Sequence, residues 1–317
     1  MHILSRETIE GLLNDVDLSS LISKGFIAYS SGQVVVPPIG ELTFKDPPGD
    51  VHIKYGYIKG DKYYVIKIAS GFWKNEEHGI PNGQGMMLLF NQNTGVPVAL
   101  LHDEAILTDI RTAIAGQICA SVLANEIYCI GIIGTGVQAR LQVEYLQYIT
   151  QCRELMVWGS SVDKVRKYKK DMERKGFTVN IQTNAKDVCK GCNLIITTTA
   201  SKDPIIFKDD LRPGTHITAV GADAIGKREL GEGILGMSNT VVADSVVQCV
   251  ERGEISYALS AKEIKTKQIC ELGHILSGKS IGRKNREHIT IADLTGVAVQ
   301  DVQIAAAVFE SYLEKTK

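Results

Sequence analysis

Apolar and polar residues change their rhythm along the chain, and each change predicts a different element. From Ser5 to Ala28 the positions Ile9, Leu12, Leu13, Val16, Leu18, Leu21 and Ile22 recur at helical spacing, with Ser5 or Thr8 as candidate caps. The next segments shorten and turn β-branched. Gln33 to Val36, Asp50 to Tyr57, Lys62 to Ile68, Gly85 to Phe90 and Val96 to Leu101 read as strands. Pro47-Pro48-Gly49, Gly60-Asp61 and Asn93-Thr94-Gly95 supply turns between or after them, and Pro97 is tolerable at a strand's start. These strands predict an antiparallel sheet. Glu104 to Leu123 then returns to helical period and bridges to a second domain.

Beyond residue 123 strand and helix alternate. Strands end at Ile133 and cover Glu154 to Trp158, Thr178 to Gln182, Leu194 to Thr198, His216 to Val220 and Asn239 to Ala243. Between them lie helices at Val137 to Tyr148, Val162 to Lys175, Ala185 to Cys189, Glu229 to Gly233 and Ser245 to Arg252. Such alternation predicts a parallel sheet with helices on both faces and right-handed crossovers. Gly273 to Gly282 reads as a glycine-punctuated loop, and the segment from Thr290 holds a long closing helix. The expected fold is α/β. A Rossmann doubly wound parallel sheet (116–297) stands beside a smaller α+β substrate and dimerisation domain with an antiparallel sheet (1–115 with 298–317).

Composition narrows the function classes. In 317 residues, 44% hydrophobic and 22% charged, the net charge is only −1. Lysines are spread widely, so neither nucleic acid nor an acidic membrane finds the concentrated basic face it needs. No apolar run reads as a membrane span, and charges at Arg6 and Glu7 interrupt what would be the core of a signal peptide, so a cytoplasmic location is expected. The seven cysteines lie scattered. Cys189-Lys-Gly-Cys192 alone has a redox or metal spacing, and without a visible second pair it reads as a helix end; no metal site is expected.

The most informative stretch is Tyr128 to Ala139, an apolar run that breaks into Gly134-Thr135-Gly136-Val137-Gln138-Ala139 and continues as helix. In a dinucleotide fingerprint the first glycine makes the tight turn, the second lets backbone approach a pyrophosphate, and the small third residue lets helix pack on sheet. The bare helix N-terminus favours the anion. The plain alternative is a strand-to-helix turn without a ligand. At the end of the next strand, where NAD enzymes place an acid for the ribose hydroxyl, stand Gly159, Ser160 and Ser161, with Lys164 and Arg166 nearby. The cofactor is therefore NAD or NADP, with a slight tilt to NADP.

Several charges sit where chemistry can use them. Asp223 comes just after a strand of the nucleotide sheet, where ligands gather beyond carboxyl ends; a solvated turn is the alternative. Lys67 interrupts Tyr63-Tyr-Val-Ile-Lys-Ile-Ala69, so it faces either an anionic partner or solvent. Arg111, in an apolar helix beside Thr112, could grip a carboxylate bidentately or pair with Asp109 or Glu104. Lys54 is a further strand cation.

Taken together, Lys67, Leu107-Thr-Asp-Ile-Arg-Thr-Ala113, the fingerprint, Thr197-Thr-Thr-Ala-Ser201 and Gly221-Ala-Asp-x-x-Gly-Lys-x-Glu-Leu230 resemble the ornithine cyclodeaminase and mu-crystallin family over nearly the whole chain. The resemblance implies an enzyme that works as a homodimer of two-domain subunits. It implies that Asp223 is the catalytic aspartate, that Lys67 and Arg111 hold the substrate carboxylate with Lys67 also at the catalytic position, and that Thr112, Thr198, Thr199 and Thr295 meet the cofactor. One departure is Ile39 after Pro37-Pro38, where the family has an arginine; Lys54 is expected to supply the missing cation. With that arm lost, and with segments resembling the ectoine-utilisation and imine-reductase branch, the expected reaction is hydride transfer between nicotinamide and the alpha carbon of an amino acid or its imine. The alternatives are redox-neutral cyclodeamination with ammonia release and a mu-crystallin-like binding role without turnover.

Overall fold

The computed structural model describes residues 1–316, and the chain divides into two compact units. Unit 1 is Met1–Arg111 with Val297–Lys317, and unit 2 is Thr112–Gly296.

Unit 1 is built on a seven-stranded mixed sheet. Its strands are β1 (His2–Ser5), β2 (Val34–Val35), β3 (Gly40–Lys45), β4 (Pro48–Ile58), β5 (Tyr63–Phe72), β6 (Gly83–Asn91) and β7 (Pro97–His102). They run in the order β1-β7-β6-β5-β4-β2, with β3 pairing on β4. Only β1 and β7 pair in parallel, and that first strand was not expected. The predicted single N-terminal helix is two helices, α1 (Arg6–Leu13) and α2 (Leu18–Ser30). Asn14 to Asp17 break it, because the Asp17 side chain accepts from the Ser20 amide and starts a new helix. Pro48-Gly49 opens β4 rather than turning, and the turn lies one step earlier, after the unexpected β3. The closing helix α11 (Ala298–Lys315) packs on β4 and β5, burying Val302, Ile304, Val308 and Phe309.

Helix α3 (Ile106–Leu123) carries the boundary between the units. It starts at Ile106, not Glu104, because Glu104 and Ala105 take left-handed backbone (φ 51° and 68°) and the Asp103 carboxylate caps the Leu107 amide at 2.9 Å. Against expectation, its 18 residues and mean hydropathy of 1.3 match a membrane span; with 67% of it buried and Asp109 and Arg111 on it, it reads as a core helix.

Unit 2 has an eight-stranded sheet in which every pair is parallel. Strands β8 (Ile130–Ile133), β9 (Glu154–Trp158), β10 (Thr178–Ile181), β11 (Leu194–Thr197), β12 (His216–Ala219), β13 (Thr240–Ala243), β14 (Ile269–Glu271) and β15 (Thr290–Asp293) are arranged in the order β10-β9-β8-β11-β12-β15-β13-β14. Order reverses at β8, which puts a ligand crevice beyond its carboxyl end. The helices are α4 (Val137–Leu146), α5 (Val162–Glu173), α6 (Ala185–Gly191), α7 (Ile234–Met237), α8 (Val246–Glu251), α9 (Gly253–Ser260) and α10 (Leu272–Leu276). Two expectations fail here. Glu229 to Gly233 is not helical, because the Glu229 and Leu230 amides donate to the Glu254 carboxylate at 2.7 and 3.1 Å instead of entering a helix. Leu272–Leu276, read largely as loop, is a short helix directly after β14.

Candidate active site

In unit 2 the crossover from β8 to α4 has the geometry that a pyrophosphate needs. Gly134 has φ +115°, and a Cβ there would lie 2.5 Å from Thr198 Oγ1, so a glycine is required by backbone and packing alike. Gly136 caps α4 with no side-chain hydrogen bond, and a Cβ there would meet nothing within 4 Å. The protein itself does not demand glycine at 136, where the backbone faces open space. Ala139 is fully buried, and its carbonyl accepts from Tyr168 Oη at 3.1 Å, so the helix is pinned against its neighbour. Arg140 braces the turn by donating to the Thr135 and Gly136 carbonyls.

Gly134, Thr135, Gly159, Ser160, Thr198 and Thr199 share one cavity of about 390 Å³ with Trp158 and Ser201. A Cβ at Gly159 would lie 2.9 Å from Thr135 Cγ2 and 3.0 Å from Val165 Cγ2, so no acidic side chain fits there. Other expected cofactor residues lie elsewhere. Val137 is exposed at the start of α4, and Gln138 accepts from Gln142 at 3.4 Å. Ser161 caps α5 through the Lys164 amide. The Thr112 carbonyl accepts from Gln142 at 3.0 Å, and buried Thr295 donates to Asp244 at 3.2 Å while accepting from Gln248 at 2.8 Å. A bulky residue at 136 tests the nucleotide assignment: Gly136→Val should fold and lose dinucleotide binding by titration. Binding at parent affinity would remove the fingerprint from the site.

Asp223 lies in the loop after β12 with its side chain 44% exposed, and Lys227 Nζ donates to its Oδ1 at 2.7 Å. Behind that loop stand three buried carboxylates, Glu229, Glu254 and Asp293. Burial raises all of them, Glu229 to about 7 and Glu254 to about 8.

Unit 1 gathers a different set of charges. Lys54 and Lys67 are direct cross-strand partners of β4 and β5, 7% and 2% exposed. Two like charges so placed repel. The counter-charge is Asp301 in the first turn of α11, 1% exposed, which sequence reasoning missed. Its carboxylate stands 3.1 Å from Lys67 Nζ and accepts from Arg111 Nε at 2.9 Å. Arg111 thus pairs with Asp301, a residue not among its expected partners, and Glu104 pairs with Arg6. Gln300 adds a polar contact, its Oε1 lying 3.5 Å from Arg111 Nη1. Burial works against ionisation of Asp301, but Arg111, Lys67 and Lys54 outweigh it and hold the carboxyl below its usual range. Burial pushes Lys67 the other way, down to about 7, with Arg111 and Lys54 adding to the shift. Lys54, Lys67 and Arg111 are thus gathered with Asp301 out of bulk water, with buried Asp103 also within electrostatic reach of Lys67; cations so placed suit a ligand carboxylate.

The chain is similar to known proteins over nearly its whole length. A Rhizobium meliloti protein provisionally named a dehydrogenase is 36% identical over 98% of this chain and 95% of its own. An archaeal alanine dehydrogenase dimer with bound NAD superposes with a TM-score of 0.90 at 30% identity, covering 100% of this chain and 97% of that one. The Thermococcus litoralis delta(1)-pyrroline-2-carboxylate reductase, solved with NADH and L-proline, gives 0.92 at 25% identity over 100% and 98% of the two chains. Residues 1–316 match the ornithine cyclodeaminase/mu-crystallin family, and the chain belongs to it.

Proposed function

We propose that the protein is a nicotinamide-dependent oxidoreductase acting at the alpha carbon of an amino acid or its imine. The observation that carries this reading is the buried grouping of Lys54, Lys67 and Arg111 around Asp301, three cations brought to one place in unit 1. Such a cluster binds a carboxylate and gives no grip to an amine. A nicotinamide supplies what no side chain here has, a hydride acceptor or donor. Lys67 and Arg111 orient the carboxylate, and Lys54 takes the place left by Ile39. Asp223 accepts or returns the proton on nitrogen or water. The helix start at Gly136 faces the pyrophosphate, and Thr198 and Thr199 line the cavity beside it.

NAD and NADP both suit the end of β9. No carboxylate can enter at Gly159, and Ser160 offers a hydroxyl, so a ribose phosphate meets no repulsion and the tilt stays with NADP. Purified protein given either dinucleotide and a panel of amino acids, or 2-oxo acids with ammonia, should change the reduced nicotinamide absorbance. Ammonia release with no net change would mark cyclodeamination, the activity named for a 35% identical Sinorhizobium fredii relative, and would overturn the dehydrogenase reading.

Lys67 makes substrate binding depend on pH. Its lowered value means that the free protein sheds this proton above about 7, whereas a bound carboxylate favours the protonated form. The inhibition constant of a non-aminated 2-oxo acid should therefore be flat below that pH and rise above it, by up to about tenfold per pH unit. A flat profile across neutral and alkaline pH would remove Lys67 from the clamp.

A homodimer is the assembly we infer. Leu42 and Phe44 alternate on one face of β3, 54% and 41% exposed, with Trp73 and Ile80 also exposed in the same unit. Phe44 packs on Phe72 at 5.3 Å, so its ring is already ordered for a partner. Light scattering should give twice the chain mass, and Leu42→Asp with Phe44→Asp should halve it. A monomeric parent at working concentration would sink this assembly.

A further inference from the structure

One side chain ties the two feet of the loop that carries Asp223. The loop leaves β12 at Gly221 and returns at Glu229, whose side chain is 0% exposed. Glu229 Oε2 accepts from the Gly221 amide at 3.0 Å, so the carboxylate at one foot of the loop holds the other. Its second oxygen, Oε1, accepts from the Thr199 amide at 2.6 Å. Thr199 lines the nucleotide cavity after β11.

The two strand ends meet backbone to backbone. A Cβ at Gly221 would lie 2.2 Å from the Thr199 carbonyl oxygen and 2.6 Å from Glu229 Oε2, so only glycine allows this approach. Backbone bonds add further ties. The Arg228 amide donates to the Ser201 carbonyl at 2.8 Å, and the Ile205 amide to the Glu229 carbonyl at 2.7 Å. Glu229 is itself fixed by Glu254, whose two oxygens accept from the Glu229 and Leu230 amides.

We propose that Glu229 is the positioning residue of the active site, setting Asp223 in register with the nucleotide-binding end of β11. The inference rests on the reading of Asp223 as the acid or base. A buried carboxylate is costly to desolvate, and an apolar residue of the same size would fill its space. What an apolar residue cannot do is accept from the Thr199 amide, which then loses its partner, or tie the Gly221 amide to residue 229, leaving that amide only its bond to the Thr197 carbonyl at 3.1 Å. Two acceptor oxygens on one rigid group are what the junction requires. Glutamine supplies one acceptor and turns an N–H towards the other amide.

The test uses Glu229→Gln, Glu229→Asp, Asp223→Asn and the Glu229→Gln/Asp223→Asn pair in the full-length protein. Active sites are counted by titration with reduced dinucleotide, and kcat is expressed per site, so that a loss of folded protein does not register as a loss of rate. Glu229→Gln should lower kcat per site by roughly 10- to 100-fold, the scale of a misplacement of about 1 Å, with a smaller change in substrate KM. Added to Asp223→Asn, it should cost little more, because nothing is left to position. If Glu229→Gln does not fold, Glu229→Asp carries the same test, since its shorter carboxylate reaches only one of the two loops. A parent rate per site in the Glu229 variant, alongside an impaired Asp223→Asn, overturns the positioning role and leaves the function reading intact. Independent, multiplying losses in the double variant overturn it as well. A parent rate in Asp223→Asn would overturn both.

Discussion

Asp223→Asn is expected to bind dinucleotide as the parent does and to lose turnover by about 10²-fold to 10⁴-fold, the usual consequence of removing one catalytic acid or base. The amide is nearly isosteric with the carboxylate but cannot take up a proton at any working pH. Folding should be little affected. Asp223 is 44% exposed, and its ion pair with Lys227 is of the solvent-screened kind, typically worth about 0–1 kcal/mol. The cavity proposed for the dinucleotide is lined by Gly134, Thr135, Gly159 and Thr199 and not by Asp223, so its affinity has no reason to change. Turnover of the best substrate at the parent rate would mean that Asp223 is only a turn residue paired with its neighbour.

Asp301→Ala should be the most damaging single change to stability. The parent buries Lys67 at 2%, Arg111 at 4% and Lys54 at 7% exposure beside this carboxylate, which pairs directly with the first two. Breaking a buried ion pair by removing one partner typically costs about 3–5 kcal/mol, because the remaining charge has neither water nor a counter-ion. Lys67, already depressed by burial and by Arg111 and Lys54, can shed its proton and recover part of that cost. Arg111 cannot, since its guanidinium stays charged. The denaturation midpoint should therefore fall steeply at neutral pH and recover in part at alkaline pH, where Lys67 is neutral. A variant within about 1 kcal/mol of the parent would show that the cations find another counter-charge.

What the sequence made legible was local. The fingerprint is six consecutive residues whose roles come from backbone geometry, and the strand-helix alternation after it needs only periodicity. The cations could be named one by one, because each is an oddity in an apolar run. Their counter-charge could not. Asp301 is 234 residues from Lys67 and 190 from Arg111, and in Ala298-Val-Gln-Asp-Val302 it looks like any acid in the first turn of a helix. Glu229 was hidden by a misreading of another kind: Glu-Leu-Gly-Glu-Gly reads as a short helix until a second glutamate, Glu254, takes its amides. Cys192, read with Cys189, has its sulfur 3.2 Å from that of Cys129 instead, a pairing made by the adjacency of β8 and β11. Each miss is a contact between residues that only topology brings together.

The placement of Asp301 bears on how the protein is made. Unit 1 takes its last helix from beyond the whole of unit 2. On the ribosome, Lys54, Lys67 and Arg111 emerge early, with their neutralising carboxylate still untranslated. Until Asp301 is made, those cations lack the carboxylate that Lys67 and Arg111 pair with in the finished fold, so unit 1 can complete its charge cluster only after unit 2 has been synthesised. Completion of the first unit therefore follows synthesis of the second.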